Sequence, residues 1–316
     1  MIPSKFIRVS AGLGHTRLDQ RHELQPILKA TLRRRTGGDL EAPVPATCLW
    51  GAEHFGLEKV SLFRNAEAET QEAVLATCCR GLLEEAYLIE KLGLGFTAKM
   101  VLLSESTEER VLYSLFAAQE AEHFSLIQAF LPGDPDAGAS QGPFPRLLAE
   151  TLEQGSKPCL TYIIQVVLEG WGLTHYQLLA KDCRSARLRE SLKRVLKDEA
   201  LHHASGVALL KKAHLDGEAQ DFILETMVRL CQMVQVGPQA VVSALERGLG
   251  GLTRKQRVEA FQQLDCEAQT RSRLGLLFEL QESCQAGPIL AVLESRGAFR
   301  PWNAEECAAA MEPVER

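Results

Sequence analysis

Two short segments of the chain place a glutamate three residues before a histidine. Glu120 and His123 lie in QEAEHF, and Glu199 and His202 lie in KDEALHH; no other histidine of the chain has a glutamate at that position. Residues three apart share one face of an α-helix, so each pair can offer a carboxylate and an imidazole to the same ligand. Carboxylate oxygen with some imidazole nitrogen favours iron or manganese, whereas zinc or copper sites more often carry more histidine or cysteine.

An internal repeat relates these two segments. The offset of 79 residues between Glu120 and Glu199 also carries Glu90 onto Glu169. The neighbourhoods of the two earlier glutamates match as well, since LIEKLGLG surrounds Glu90 and VLEGWGLT surrounds Glu169. The chain is therefore predicted to contain two copies of one helical hairpin.

The turn of each predicted hairpin lies midway between its two glutamates. The first copy is centred on LSEST (103–107) and the second on KDCRS (181–185), and both segments interrupt a helical pattern. Positions equidistant from the turn of an antiparallel hairpin lie at the same height. Each earlier glutamate is therefore predicted to face the Glu-x-x-His pair of its partner helix.

Two such hairpins supply four carboxylates and two imidazoles to one layer of a helical core. Burying so many ionisable groups is very costly unless they are paired or bind metal. We therefore predict a dimetal site, and the alternative is a metal-free helix pair that arose by duplication. The predicted ligands are Glu90, Glu120, His123, Glu169, Glu199 and His202.

These six residues and their spacing resemble the ferritin-like non-haem di-iron superfamily. The resemblance covers about 66–214 and implies an all-α, ferritin-like four-helix bundle made of two duplicated helical hairpins. The linker at 132–158, which is rich in Pro and Gly, would be the long crossover between them. The resemblance implies two iron ions as cofactors, with Mn/Fe or Mn/Mn as alternatives.

The hydrophobic pattern is helical along most of the chain and shows no strand-like alternation, which predicts an all-α fold. We expect three regions: 1–65 as a partly helical extension, 66–214 as the bundle, and 215–316 as a helical extension that packs on the bundle or at a dimer interface. Helices are predicted at 17–36, 66–103, 106–131, 146–154, 158–181, 186–214, 219–235, 238–248 and 253–284, with a short one after Gly287.

Other residues near the predicted ligands have two interpretations each. The resemblance suggests that Asp198 hydrogen-bonds a ligand histidine and orients it; the alternative is an exposed carboxylate. Tyr113, Tyr162 and Tyr176 each lie seven residues from a ligand glutamate, so they are candidates for electron relay or for closing a substrate cavity. Ordinary packing of aromatic side chains in the core of a bundle explains these tyrosines at least as well.

Gly93 and Gly172 occupy equivalent positions of the repeat, one turn after Glu90 and Glu169. Glycine inside a helix costs about 1 kcal/mol relative to alanine. We therefore consider two explanations for them, either room beside the metals for oxygen or substrate, or close helix packing.

Composition restricts the class of partner and the compartment. The formal charge is −6 and the pI about 5.8, which gives no general attraction to nucleic acid or anionic membranes. The nine cysteines form no C-x-x-C motif, so we expect free thiols and a cytoplasmic protein. No continuous apolar run suggests a signal peptide or a membrane span.

The local sequence pattern of VVLEGWGLTHYQLL and VLKDEALHH also resembles that of aldehyde-deformylating oxygenases and of tRNA-hydroxylating members of the superfamily. We predict an O2-dependent oxygenase or oxidase that acts on a small, apolar organic substrate and takes electrons from an external reductant such as ferredoxin. A homodimer is a candidate assembly. A tRNA-modifying hydroxylase is disfavoured by the negative charge. An iron-handling protein of the ferroxidase type remains the alternative from another class.

Overall fold

The computed structural model describes residues 10–15, 17–19, 21–36, 48–131, 142–284 and 286–312. Within these ranges the regular structure is helical and no strand occurs, which confirms the all-α prediction. None of the described helices combines the length and the apolar composition needed to cross a bilayer. The helices are α1 (Leu24–Thr36), α2 (Ala52–Phe55), α3 (Ser61–Arg64), α4 (Ala68–Leu103), α5 (Thr107–Gln128), α6 (Pro143–Gln154), α7 (Lys157–Leu160), α8 (Glu169–Asp182), α9 (Ala186–Leu210), α10 (Gly217–Gln235), α11 (Gln239–Gly248), α12 (Arg254–Gln263), α13 (Cys266–Glu282), α14 (Gly287–Ser295) and α15 (Ala304–Ala309).

The chain forms two compact units, and each contains one of the two repeated hairpins. The first unit comprises the described residues of Met1–Ala46 together with Leu82–Leu160, and the second comprises those of Thr47–Gly81 and Thr161–Arg316. The division into a bundle at 66–214 with two extensions stays a prediction.

The first hairpin turns where the sequence predicts it. Helix α4 ends at Leu103 and α5 begins at Thr107, with Ser106 as its N-cap. The Ser106 hydroxyl accepts a hydrogen bond from the Glu109 backbone N–H at 3.1 Å. The Glu109 carboxylate accepts from the Glu105 backbone N–H at 2.8 Å. These bonds satisfy N–H groups at the start of α5 that have no partner within the helix.

Helix α6 lies within the segment predicted as the crossover, of which 132–141 fall outside the described residues. Its C-terminal end is capped by Lys99 of α4. The Lys99 ammonium donates to the Leu152 carbonyl at 2.6 Å and to the Gly155 carbonyl at 2.9 Å. Burial lowers the pKa of Lys99, while its position at the negative end of a helix favours the charged form.

The N-terminal helix is shorter than its prediction. Regular helix begins only at Leu24, so the predicted start near residue 17 is wrong, whereas the helix extends to Thr36, the last residue of the predicted range. Near its end, Arg35 pairs with the buried Glu122 of α5.

The second hairpin is less regular than its sequence suggests. The predicted helix at 158–181 is a contiguous run of α7, a π-helix at Thr161–Leu168, and α8. A π-helix bonds residue i to i+5 and has wider turns than an α-helix. The α-helical spacing that was used to place Tyr162 on the face of Glu169 therefore does not apply between these two residues.

Helix α9 follows the predicted break and starts at Ala186. Its N-cap, Ser185, accepts a hydrogen bond from the Leu188 backbone N–H at 3.3 Å. The helix ends at Leu210, four residues before the predicted His214. The buried positions of α9 include Glu199, His202, Gly206 and Leu210, which recur at helical spacing and form one face.

The predicted helix at 253–284 is two helices. Helix α12 starts at the capping box of Thr253 and Gln256, and α13 starts at Cys266. Between them Asp265 adopts a left-handed backbone with φ of 51°, which breaks the helix. Such a conformation is uncommon for a residue other than glycine and costs about 1–3 kcal/mol, so surrounding structure must maintain it.

Candidate metal centre

Five of the six predicted ligands are buried, and Glu169 is half-buried. Carboxylates and imidazoles rarely lose this much solvent without a compensating partner. The exposed fractions are 2% for Glu90, 5% for Glu120, 0% for His123, 8% for Glu199 and 1% for His202.

In the first unit, α4 and α5 bring together Glu90, Glu120 and His123, which we call the Glu90 cluster. One ligand atom from each residue lies within 4.8 Å of the others. The distance from His123 Nδ1 to Glu90 Oε2 is 3.5 Å. Glu90 therefore faces the Glu-x-x-His of the partner helix, as the hairpin symmetry predicts.

Gly93 makes room for the carboxylate of Glu120. A Cβ atom built on Gly93 would overlap Glu120 Oε2 and would lie only 2.8 Å from Glu120 Cδ. The space beside Gly93 is thus occupied by a predicted ligand. This observation favours close packing over the open cavity for oxygen or substrate that the sequence suggested for this position.

In the second unit, α8 and α9 bring together Glu169, Glu199 and His202, which we call the Glu169 cluster. One ligand atom from each residue again lies within 4.8 Å of the others. His202 Nδ1 lies 3.4 Å from Glu199 Oε2, which matches the corresponding distance in the first unit. The two clusters have the same composition because they are built by the two copies of the repeat.

Gln165 of the π-helix is hydrogen-bonded to α9 at His202, one of the predicted ligands. The sequence alone did not reveal this role. Its amide Nε2 donates to the His202 carbonyl at 3.0 Å and to the Ser205 hydroxyl at 2.8 Å. Gly206 permits this approach, because a Cβ there would lie 2.7 Å from Gln165 Cγ. The sequence carried only two weak signals for this contact. One is a polar residue within the apolar run TYIIQVVL, and the other is a glycine one turn after His202.

Each cluster fits a metal ion by its chemistry and its spacing. First-row divalent ions bind nitrogen and oxygen at about 2.1 Å, so neighbouring ligand atoms around one ion are about 3 Å apart. The imidazole–carboxylate distances of 3.5 and 3.4 Å are near that value and exceed the range of about 2.7–3.2 Å for an N–H···O hydrogen bond. A cation would also offset the charge of the two carboxylates that each cluster holds.

The three tyrosines are buried, and each has contacts with residues other than the six predicted ligands. The Tyr162 hydroxyl donates to Gln281 Oε1 at 3.3 Å. Tyr113 packs edge-on against Phe96 and Phe116, with ring centroids 6.4 and 5.9 Å away. Tyr176 lies against its neighbour His175. These contacts suit aromatic core packing, and a role in electron relay stays a prediction.

Asp198 and His203, which are sequence neighbours of predicted ligands, differ in their surroundings. Asp198 is half-buried, and its contact with a ligand histidine stays a prediction. The ring of His203 lies over Gly170, where a Cβ would be 2.8 Å from His203 Cε1. At Gly172 the side-chain position is open, with no atom of the described residues within 4 Å, so the two glycines of the repeat have different environments.

Comparisons of the chain with protein-family models, curated proteins and solved structures gave no match. The resemblance to ferritin-like proteins rests on the six ligand-type residues and on the repeat that relates them.

Proposed function

We propose that this chain is a dimetal-carboxylate oxygenase or oxidase in which each cluster holds one iron ion. Its substrates would be O2 and a small, apolar organic molecule, and an external reductant would supply electrons. The observation that carries the proposal is the twofold recurrence of one donor set. In both units, a carboxylate from one helix lies within 4.8 Å of a Glu-x-x-His pair from the next.

The donor set favours iron or manganese because it combines carboxylate oxygens with a single imidazole in each cluster. Iron in such a site supplies the activation of O2. The chain's own residues hold the ion and fix the geometry around it. Gln165 anchors α9 at His202, and Gly93 leaves the Glu120 carboxylate its place beside Glu90.

Apolar side chains next to the ligands support an apolar substrate. Leu88 and Leu92 flank Glu90 and are buried, and Val166 and Val167 precede Glu169 and are buried as well. Such surroundings exclude water and lower the local dielectric, which strengthens interactions between the ligands and a cation.

The sequence predicts that both ions share one ferritin-like bundle, and spectroscopy can test that part separately. Two iron ions that lie close together would couple magnetically, whereas two isolated ions would not. Mössbauer and EPR spectra of the iron-loaded protein should therefore report a coupled pair. Spectra of independent high-spin ions would contradict the shared bundle while leaving the two clusters intact.

Metal analysis of the pure protein tests the ligand assignment. We expect about two iron ions per chain in the unmodified protein, and about one or fewer in Glu199→Gln. Glu190→Gln is the matched control, because Glu190 lies on the same helix but is exposed and pairs with Lys193 at 2.8 Å. It should retain the full metal content. Less than about one ion per chain in the unmodified protein would overturn the proposal.

Aerobic loading with Fe(II) separates the oxygenase from an iron-storage protein. Oxidation that stops after about two ions per chain supports the oxygenase. Continued oxidation with growth of a mineral would favour storage. Stimulation of O2 uptake by apolar aldehydes, alcohols or alkanes, in the presence of ferredoxin and its reductase, then identifies the substrate class.

A further inference from the structure

Two cysteines of the second unit lie beside the same glycine, in a region remote in sequence from the six predicted ligands. Cys266 is the first residue of α13 and Cys307 lies in α15; they are 2% and 0% exposed. Both approach Gly237, which has a φ of +68°. A Cβ on Gly237 would lie 3.4 Å from Cys266 Cβ and 3.4 Å from Cys307 Sγ, so glycine leaves room for the pair.

The two thiols are chemically unequal. The Cys307 thiol donates to the Gln235 carbonyl at 3.7 Å, and the interaction between the two cysteines lowers the pKa of Cys266 and raises that of Cys307. Cys266 also lies at the N-terminal end of a helix of 17 residues, where the helix dipole stabilises a thiolate. Cys266 is thus suited to react first as the nucleophile, and Cys307 is suited to react second, with the oxidised Cys266.

Two further features mark this region as more than ordinary core. Asp265, directly before Cys266, has the left-handed backbone described above, and such strain often accompanies functional sites. Thr270, one turn after Cys266, is 0% exposed, and its hydroxyl has no hydrogen-bond partner among the residues that the structure describes. A Cβ on Gly237 would lie 3.6 Å from this hydroxyl, so it borders the same space.

We propose that Cys266 and Cys307 form a dithiol site that hydrogen peroxide oxidises to a disulfide, linking the start of α13 to α15. The Cys266 thiolate attacks one peroxide oxygen and breaks the O–O bond, which gives a sulfenic acid and hydroxide. The Cys307 thiol then attacks that sulfur, the S–S bond forms, and water leaves. In sum, two thiols and one peroxide give one disulfide and two waters, with both electrons taken from sulfur.

Three other buried cysteines lack this combination. Burial raises the pKa of Cys78 to about 12, and its sequence neighbour Cys79 is raised as well. Burial also raises the pKa of Cys231 to about 12. A thiol that remains protonated is a poor nucleophile, so these residues should react slowly.

In this proposal, the oxidant reaches the two buried thiols through local opening of helix α15. It has six residues, Ala304–Ala309, and short helices open locally at lower free energy than a long buried helix. Peroxide is also little larger than water, so a small opening suffices. Once formed, the bond would close a loop between positions 266 and 307 and oppose that opening.

Peptide mapping of the whole protein after peroxide treatment tests the proposal. The protein is treated with a small excess of peroxide, unfolded, alkylated with iodoacetamide and digested without reductant. We expect two fewer alkylated cysteines out of nine, and a cross-linked peptide that contains Cys266 and Cys307. The melting temperature should rise by about 5 °C on oxidation and return after dithiothreitol.

Three variants control this experiment. Cys266→Ser and Cys307→Ser should each abolish the cross-link, whereas Cys231→Ser, at another buried cysteine, should retain it. Peroxide that leaves both cysteines of the unmodified, folded protein alkylatable would overturn the proposal. So would oxidation of Cys266 to sulfonic acid without a cross-link.

Discussion

Replacing Gly93 by alanine is the sharpest test of the Glu90 cluster, because the usual effect of this change is reversed by one contact. Gly→Ala inside a helix ordinarily stabilises by about 1 kcal/mol. At Gly93 the added methyl group would lie 2.8 Å from Glu120 Cδ and would overlap its carboxylate. The carboxylate must move, and overpacking of this kind costs about 1–3 kcal/mol.

We therefore expect Gly93→Ala to leave the metal-free protein between unchanged and about 2 kcal/mol less stable. Its effect on metal binding should be larger. Changes to groups that merely orient a ligand weaken binding by about 10–100-fold. Displacing Glu120 itself should weaken the first cluster by at least about 100-fold, or about 3 kcal/mol.

Gly172→Ala is the matched control, since Gly172 occupies the equivalent position of the repeat and its side-chain site is open. It should keep both metals and gain up to about 1 kcal/mol. Iron titration by calorimetry gives the affinities, and thermal unfolding with and without iron gives the stabilities. Equal metal affinity in Gly93→Ala and the unmodified protein would refute the assignment of Glu120 as a ligand at this position.

Three other changes test the elements that position the clusters. Gln165→Leu should lower the free energy of unfolding by about 1–3 kcal/mol and weaken iron binding at the Glu169 cluster, because it removes both hydrogen bonds from Gln165 to α9. Urea unfolding and iron titration measure the two effects. The control Gln220→Leu, at an exposed position, should show no comparable loss. Lys99→Met should cost about 1–3 kcal/mol in urea unfolding, since it leaves the last carbonyls of α6 uncapped, and an unchanged midpoint would contradict the cap. Burial lowers the pKa of the half-buried His175 from 6.5 to about 4, so the unfolded chain binds its proton first as the pH falls. Stability from this group should be complete above pH 6.5 and decrease by up to about 3 kcal/mol towards pH 4, and a His175→Gln variant should lose that part of the pH dependence.

Several features of the fold could not be predicted from local sequence. The pattern at 253–284 is helical throughout, and nothing in it marks Asp265 as the residue whose left-handed backbone separates α12 from α13. The π-helix at Thr161–Leu168 is likewise invisible to a 3.6-residue period, because its apolar run fits several helical forms equally well.

The sequence by itself determined the helical class and the donor set. Periodicity, the breaks at LSEST and KDCRS, and one 79-residue offset sufficed to place each glutamate opposite its Glu-x-x-His pair, because hairpin geometry follows from chain separation alone. Only the tertiary structure decided what surrounds those donors. It placed the Glu120 carboxylate beside Gly93, and it joined Gln165 to His202. It also brought Cys266 and Cys307 to the same glycine, Gly237. Such contacts join residues far apart in the chain and depend on which side chains fill a shared space, and no local pattern records that.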